Sequence, residues 1–255
     1  MNYICYNFNN MKFKIDSEFE SYKNDIKFSI DNFKDHGSTI YKGSRNELKV
    51  MHLNGIVINI KKFKTPNFIN RIAYRWIRES KAERSYKYAK KLLKLDVLTP
   101  SPIGYLECYN FFGLMESYYI SVQQPHNFTF RELVNNKEFQ NREKILRAFT
   151  RFTYDFQNKN IFFKDHSPGN TLIKKNSYKE YEFYLVDLNR MKFKDLTFED
   201  RIQNFSKLST DKDMFIIIAD EYGKLINKDT NYVYDLMWEE VVKFRQKIKR
   251  KKAIK

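Results

Sequence analysis

Between residues 162 and 170 the chain reads F-F-K-D-H-S-P-G-N, and downstream Y-L-V-D-L-N-R closes an apolar run on a second acid. Asp165, Asn170 five residues on, and Asp187 seventeen beyond that provide one carboxylate base and two oxygen donors for a metal. That set suits ATP-dependent phosphoryl transfer. Asp165 would accept the proton of an attacking hydroxyl, while Asn170 and Asp187 would hold Mg2+ against the nucleotide phosphates, because magnesium prefers hard oxygen ligands. Pro168 and Gly169 turn the backbone so that both polar side chains face one place. Alone, D-x-x-x-x-N also describes a polar turn in which Asp165 and Asn170 cap local backbone groups. Context favours the chemistry: a T-L-I strand follows Asn170, a polar hairpin spans 174–180, and a strand over 181–186 ends at Asp187.

The nucleotide would be held by elements earlier in the chain. From Ser38 the pattern is T-I-Y, L-K-V-M-H-L and I-V-I-N-I-K-K-F, the last two separated by Asn54-Gly55, a strong hairpin signal. Three antiparallel strands are expected. Between the first two, K-G-S-R-N-E would lie over the ATP phosphates; Gly43 stands alone where kinases use three glycines, so Arg45 and Asn46 would supply the rest, and a plain hairpin turn fits equally. On the third strand, alternation puts Val57, Asn59 and Lys61 on one face and Ile58, Ile60 and Lys62 on the other. Lys61 is the expected cation for the α and β phosphates, with Lys62 and Lys64 as alternatives.

A long helix is expected over 70–95, and its Glu83 is the carboxylate expected to hold Lys61. Ser80-Lys81-Ala82-Glu83 also has the capping-box pattern, in which Glu83 would only bond back to the helix start. Pro100 and Pro102 end that helix, 119–124 would form a strand and hinge presenting backbone groups to adenine, and 130–158 and 198–244 read as amphipathic helices. The order predicts an α+β, bilobal protein-kinase-like fold: a helical or irregular extension over 1–36, an antiparallel-sheet N-lobe with one helix over 37–122, and a mainly helical C-lobe over 123–255. In the extension, Phe19, Tyr22, Ile26, Ile30 and Phe33 have helical spacing and would cover the small lobe; the first ten residues are expected without order.

With 255 residues, 42% hydrophobic and 17% aromatic, the chain can bury a sizeable core. Cys5 and Cys108 show neither metal-ligand spacing nor a disulfide framework, which predicts packed thiols in a reducing cytoplasm. No segment approaches the roughly 20 apolar residues needed to span a bilayer. The most apolar stretch, 214–219, lies between Asp213 and Asp220 and reads as a core helix. M-N-Y-I-C-Y-N-F-N-N-M lacks the basic start and apolar block of a signal peptide. A net charge of +16 implies an anionic partner. The tail over 243–255 interleaves basic with apolar residues and would lie on anionic lipid at about 1 kcal/mol per basic residue, or else form a solvated helix end.

Through I-Y-K-G-S-R-N-E-L-K-V, I-K-K-F-K with N-R-I-A-Y-R, S-K-A-E-R-S-Y, T-P-S-P-I-G-Y, K-D-H-S-P-G-N and L-V-D-L-N-R-M, the stretch 40–191 resembles the lipopolysaccharide core kinases, which include the Kdo and heptose kinases of Gram-negative bacteria. The resemblance implies ATP and Mg2+ as cofactors and an inner-core sugar hydroxyl as acceptor. It thereby implies an anionic glycolipid partner, a cytoplasmic location peripheral to the inner membrane, and no nucleic acid; oligomeric state is left open.

Departures from protein kinases narrow the acceptor. Phe163 and Lys164 stand where His and Arg precede the catalytic Asp, Ser167 replaces a phosphate-contacting lysine, and Asp187 is followed by Leu-Asn rather than Phe-Gly. Lys164, Arg190 or Lys192 would meet phosphate charge instead. No A-P-E follows and helix resumes by Phe198, so there is no room for a peptide-docking segment. Two other readings stay open: a small-molecule kinase of the aminoglycoside or choline type, and a non-catalytic pseudokinase binding module, against which the intact Lys61, Asp165, Asn170 and Asp187 weigh.

Overall fold

The structure, a computed structural model, describes residues 10–178 and 180–253. Its internal contacts divide the chain into two units, one holding the described residues up to Lys94 together with Pro100–Gln124, the other Leu95–Thr99 and the described residues from Pro125.

The first unit is a sheet with helices packed on it. Its elements are β1 (Asn10–Ile15), α1 (Lys23–Asp31), β2 (Ser38–Lys42), β3 (Asn46–Leu53), β4 (Ile56–Phe63), α2 (Phe68–Trp76), α3 (Lys81–Lys94), β5 (Pro102–Asn110) and β6 (Gly113–Val122). All six strands pair antiparallel in the order β1-β5-β6-β4-β3-β2. The Asn54-Gly55 hairpin forms as expected, with Gly55 at φ +82°. Strand alternation gives the sheet two apolar faces. Ile58, Ile60, Leu106, Cys108, Tyr118 and Ile120 bury against Ile26, Ile30 and Phe33. Phe63 and Tyr105 bury against Ala82 and Tyr86 of α3.

Three expectations need correction here. The extension is more than a helical cover: Asn10–Ile15 adds an edge strand to the sheet, with Met11 opposite Cys108. Its K-F-K-I alternation is too short to stand out from a charged background. The expected long helix is two, because the Ser80 hydroxyl accepts the Glu83 N–H at 3.1 Å and so starts α3 afresh. Cys108 is disulfide-bonded rather than a thiol, so the cysteines no longer argue for a reducing compartment. Cys5 and the first nine residues lie outside the described residues.

The second unit contains β7 (Phe128–Thr129), α4 (Phe130–Asn135), α5 (Arg142–Asn158), β8 (Ile161–Phe163), β9 (Thr171–Lys175), β10 (Tyr181–Leu185), β11 (Met191–Phe193), α6 (Phe198–Gln203), α7 (Lys212–Ile226) and α8 (Thr230–Ala253). Its core joins Phe130, Leu146 and Phe149 to Met214, Phe215, Ile218 and Tyr222 of α7, and to Val233, Met237 and Val241 of α8. The apolar run at 214–219 is thus a core helix. The basic tail continues α8 as far as Ala253. Among the described residues no helix is long and apolar enough to cross a membrane.

Candidate active site

Two short strand pairs assemble the polar residues of the second unit. Antiparallel pairing of β8 with β11 sets Phe163 opposite Met191, so the segment leaving β8, with Lys164 and Asp165, runs beside Arg190. Pairing of β9 with β10 sets Thr171 opposite Leu185, which brings the end of β10 to the 3-10 turn Pro168–Asn170. There the Val186 N–H donates to the Asn170 carbonyl at 3.0 Å. Asn170 Nδ2 in turn donates to the Asp165 carbonyl at 2.8 Å. These bonds tie Asn170 to Asp165 and set Val186, next to Asp187, against Asn170.

Asp187 sits in the left-handed region at φ 60°, ψ 50°, unusual for a residue other than glycine and a form of backbone strain found often at functional sites. Its Oδ1 accepts from Asn189 Nδ2 at 2.9 Å. Because the nitrogen of Asn170 is committed to Asp165, its Oδ1 remains an acceptor. Among the described residues no group of three or more His, Cys, Asp or Glu is placed to hold a metal. The pair Asn170 and Asp187 still fits Mg2+, which takes one or two protein oxygens and completes its shell with phosphate and water.

The surroundings are cationic. Asp165 Oδ1 accepts from Arg190 at 3.1 Å and from Lys207 at 3.0 Å. Lys207 also donates to the Lys164 carbonyl. The Arg190 charge, with burial, Lys192 and Lys207 adding to it, holds the Lys164 ammonium below the ordinary lysine range. Beneath the turn His166 lies fully buried among Phe149, Phe156 and Phe163, with ring centroids at 5.1, 5.6 and 5.4 Å. Burial pushes its imidazole down to about 3, so it is neutral at physiological pH.

In the first unit, Lys61 lies on the sheet face covered by α3, its ammonium 5.3 Å from the Phe63 ring centroid. Lys62 takes the opposite face, bonded to Glu116 at 2.8 Å and set over the Tyr118 ring. Lys64 is exposed past the end of β4. The register thus sets Lys61 and Lys62 on opposite faces, as the alternation predicts. Gly43 and Arg45 lie in the exposed turn between β2 and β3, and Asn46 opens β3 with its carbonyl accepting the Gly43 N–H at 3.0 Å. Glu83 is on α3, where its carboxylate takes Lys12 of β1 at 2.9 Å and Lys87 at 3.0 Å. Burial pushes the Glu83 carboxyl up, but these two cations more than offset it and hold it below the ordinary range.

The sequence matches no known protein family and none of the curated proteins. Its structure does have solved counterparts. "WaaP in complex with acyl carrier protein" superposes with a TM-score of 0.62 over 94% of this chain and 98% of that one, at 11% identity. The chain has the protein-kinase-like fold. Against that fold, sequence reasoning missed Lys207 and Lys12, each more than 40 residues from the acid it binds and on no recognisable motif. His166 lay within the motif itself, flanked by F-F-K-D, but nothing local foretold its burial.

Proposed function

We propose that the chain is an ATP-dependent kinase that phosphorylates a sugar hydroxyl, of Kdo or heptose, in the lipopolysaccharide inner core. It would act as a peripheral protein on the cytoplasmic face of the inner membrane. The joining of Asp165, Asn170 and Asp187 in one cationic site carries this reading. The motifs over 40–191, which resemble those of the lipopolysaccharide core kinases, support the acceptor class, and the fold shared with WaaP agrees with it.

In this reading Asp165 orients the acceptor hydroxyl and takes its proton as the new O–P bond forms and the bond from the γ-phosphorus to the bridging oxygen breaks, releasing ADP; the bonds from Arg190 and Lys207 to Oδ1 leave Oδ2 for that task. Asn170 and Asp187 hold Mg2+, which when bound neutralises phosphate charge during transfer. Lys61 meets the α and β phosphates, with Glu83 and the turn carrying Gly43, Arg45 and Asn46 completing the nucleotide contacts. Lys164 and Arg190 offer cations to the transferred or acceptor phosphate. The basic end of α8, at 243–253, is exposed and adds attraction to an anionic surface.

Incubating the protein with ATP, Mg2+ and lipopolysaccharide precursors, followed by mass spectrometry, should place one phosphate on an inner-core sugar. Phosphorylation of a free aminoglycoside or choline in preference would assign the chain to the small-molecule class. No ADP formation with either acceptor would leave it a non-catalytic binding module.

A further inference from the structure

The first unit carries an apolar surface that phosphoryl transfer does not use. Along α2, Phe68, Ile69, Ile72 and Trp76 follow an i, i+1, i+4, i+8 spacing, which at about 100° per residue confines them to an arc of about 100°. All four are exposed, whereas Tyr74 on the other side of the helix is buried. Ile77 and the β5–β6 hairpin tip, Phe111 and Phe112, extend the patch, and Ile69, Trp76, Ile77 and Phe111 are 74–87% exposed. Contiguous apolar surface of this kind marks an interaction site.

The patch is built rather than incidental. Arg71 donates to Asn110 Oδ1 at 3.1 Å and Arg75 to the Asn110 carbonyl, tying the hairpin to the helix. The Phe68 and Phe112 rings meet at 6.2 Å. Gly113, at φ +112°, approaches so closely that a Cβ there would lie 2.4 Å from the Arg71 carbonyl oxygen. Helix and hairpin are thus locked through their inner flanks while the apolar side chains stay outside.

Charge selects the occupant. Residues 64–81 carry Lys64, Arg71, Arg75, Arg78 and Lys81 against a single acid, Glu79, which is itself paired with Lys87. A groove of about 620 Å³ beside Trp76 is bordered by Arg75 and Arg78, its two acids, Glu79 and Glu83, being paired with Lys87 and Lys12. A second copy of the chain would set this basic rim against its own like charges, which disfavours self-association. Aromatic and aliphatic side chains ringed by arginines are what an anionic bilayer accepts at the boundary between headgroups and acyl chains. We infer that α2 and the β5–β6 hairpin dock this unit on an anionic lipid surface, with Ile69, Trp76 and Phe111 inserted and the exposed Arg78 at the lipid phosphates. The inference rests on the peripheral attachment proposed above and names its surface, while standing apart from the catalytic reading. It differs from attachment through the end of α8, which offers mainly charge.

The two tryptophans make the test direct. In full-length protein carrying Trp238→Phe, Trp76 is the only tryptophan. Its emission should shift blue on phosphatidylglycerol–phosphatidylethanolamine vesicles, be quenched by brominated acyl chains, and stay unchanged on phosphatidylcholine. In the otherwise native chain, Ile69→Ser with Phe111→Ser should lower vesicle partition in flotation by about tenfold while keeping the thermal transition. Three results would overturn the inference: Trp76 emission indifferent to anionic vesicles; binding abolished by salt yet untouched by the double substitution; or self-association, or capture of an acidic protein without vesicle binding, that the same substitutions remove.

Discussion

In the helical unit, Asp165, Asn170 and Asp187 fall within one stretch of 165–187 and are joined by strand pairing and two local hydrogen bonds. In the sheet unit, Glu83 meets Lys12 from 71 residues away, and Lys61 depends on the register of a central strand. The first arrangement is made by turns, the second by global packing. Loss of a polar side chain should therefore separate cleanly from loss of fold in the helical unit and much less cleanly in the sheet unit.

The largest effects test the helical side of that contrast. Asp187→Ala should abolish magnesium-dependent transfer in a folded protein, since the Asp165 carboxylate is engaged by Arg190 and Lys207 and does not replace the donor; normal turnover would end its assignment. Asp165→Asn should lower turnover by roughly 10² to 10⁴ while ATP binding persists, as single-turnover and calorimetric measurements would show. If the thermal transition disappears with turnover, Asp165 is instead holding the turn, through Arg190 and Lys207.

On the sheet side, Lys61→Ala should weaken ATP binding by about 10- to 100-fold, the range expected for hydrogen bonds to a charged group. Lys62→Ala should leave ATP affinity near native and lower the thermal midpoint instead, because Lys62 spends its charge on Glu116 on the face packed by α1. Equal effects of the two on affinity would show that strand register does not decide which lysine serves the nucleotide.

Beneath the turn, His166 gives the helical unit a stability term that depends on pH. Its folded pKa, about 3, lies below the unfolded value of 6.5, so the unfolded chain binds the extra proton between those values. Stability from this residue is complete above pH 6.5 and falls as the pH drops, by about 1.4 kcal/mol per unit. His166→Phe, a ring of similar size among three phenylalanines, should flatten that slope. Urea midpoints at pH 7.5 and 5 for both proteins measure it; parallel slopes would remove His166 as the cause.

The same contrast governs what could be read from sequence. K-D-H-S-P-G-N and Y-L-V-D placed Asp165, Asn170 and Asp187 correctly in one unit because contiguous turn residues determine that geometry. Alternation along β4 correctly set Lys61 and Lys62 on opposite faces, since a period of two is a local property. The strand character of residues 10–15 emerges only by pairing with β5 some 90 residues later, and with it came Lys12. The split between α2 and α3 turns on one serine: the S-K-A-E pattern that competes for Glu83 also marks a helix boundary, which local sequence alone does not distinguish from a continuous helix. Lys207 reaches Asp165 from beyond α6, where no periodicity points toward the turn.

The smallest expected effect sharpens the comparison most. Lys12 bonds Glu83 at 2.9 Å, yet its side chain is 48% exposed and Glu83 keeps Lys87 as a second partner. Such a pair contributes about 0.2–1 kcal/mol, so Lys12→Met should shift the thermal midpoint only slightly. The sign with pH follows from Glu83, whose folded pKa is depressed: its pairing stabilises above the unfolded value and is lost as pH falls through the folded one. Wild type and variant should therefore differ at neutral pH and converge in acid. Activity then tells structural pairing from positioning. If Lys12 keeps Glu83 where the nucleotide needs it, Lys12→Met should raise the KM for ATP a few-fold with kcat unchanged, and Glu83→Gln should raise it further. An unchanged KM in Lys12→Met beside a raised one in Glu83→Gln would show that Glu83 is positioned without β1, and the edge strand would then contribute to the sheet alone.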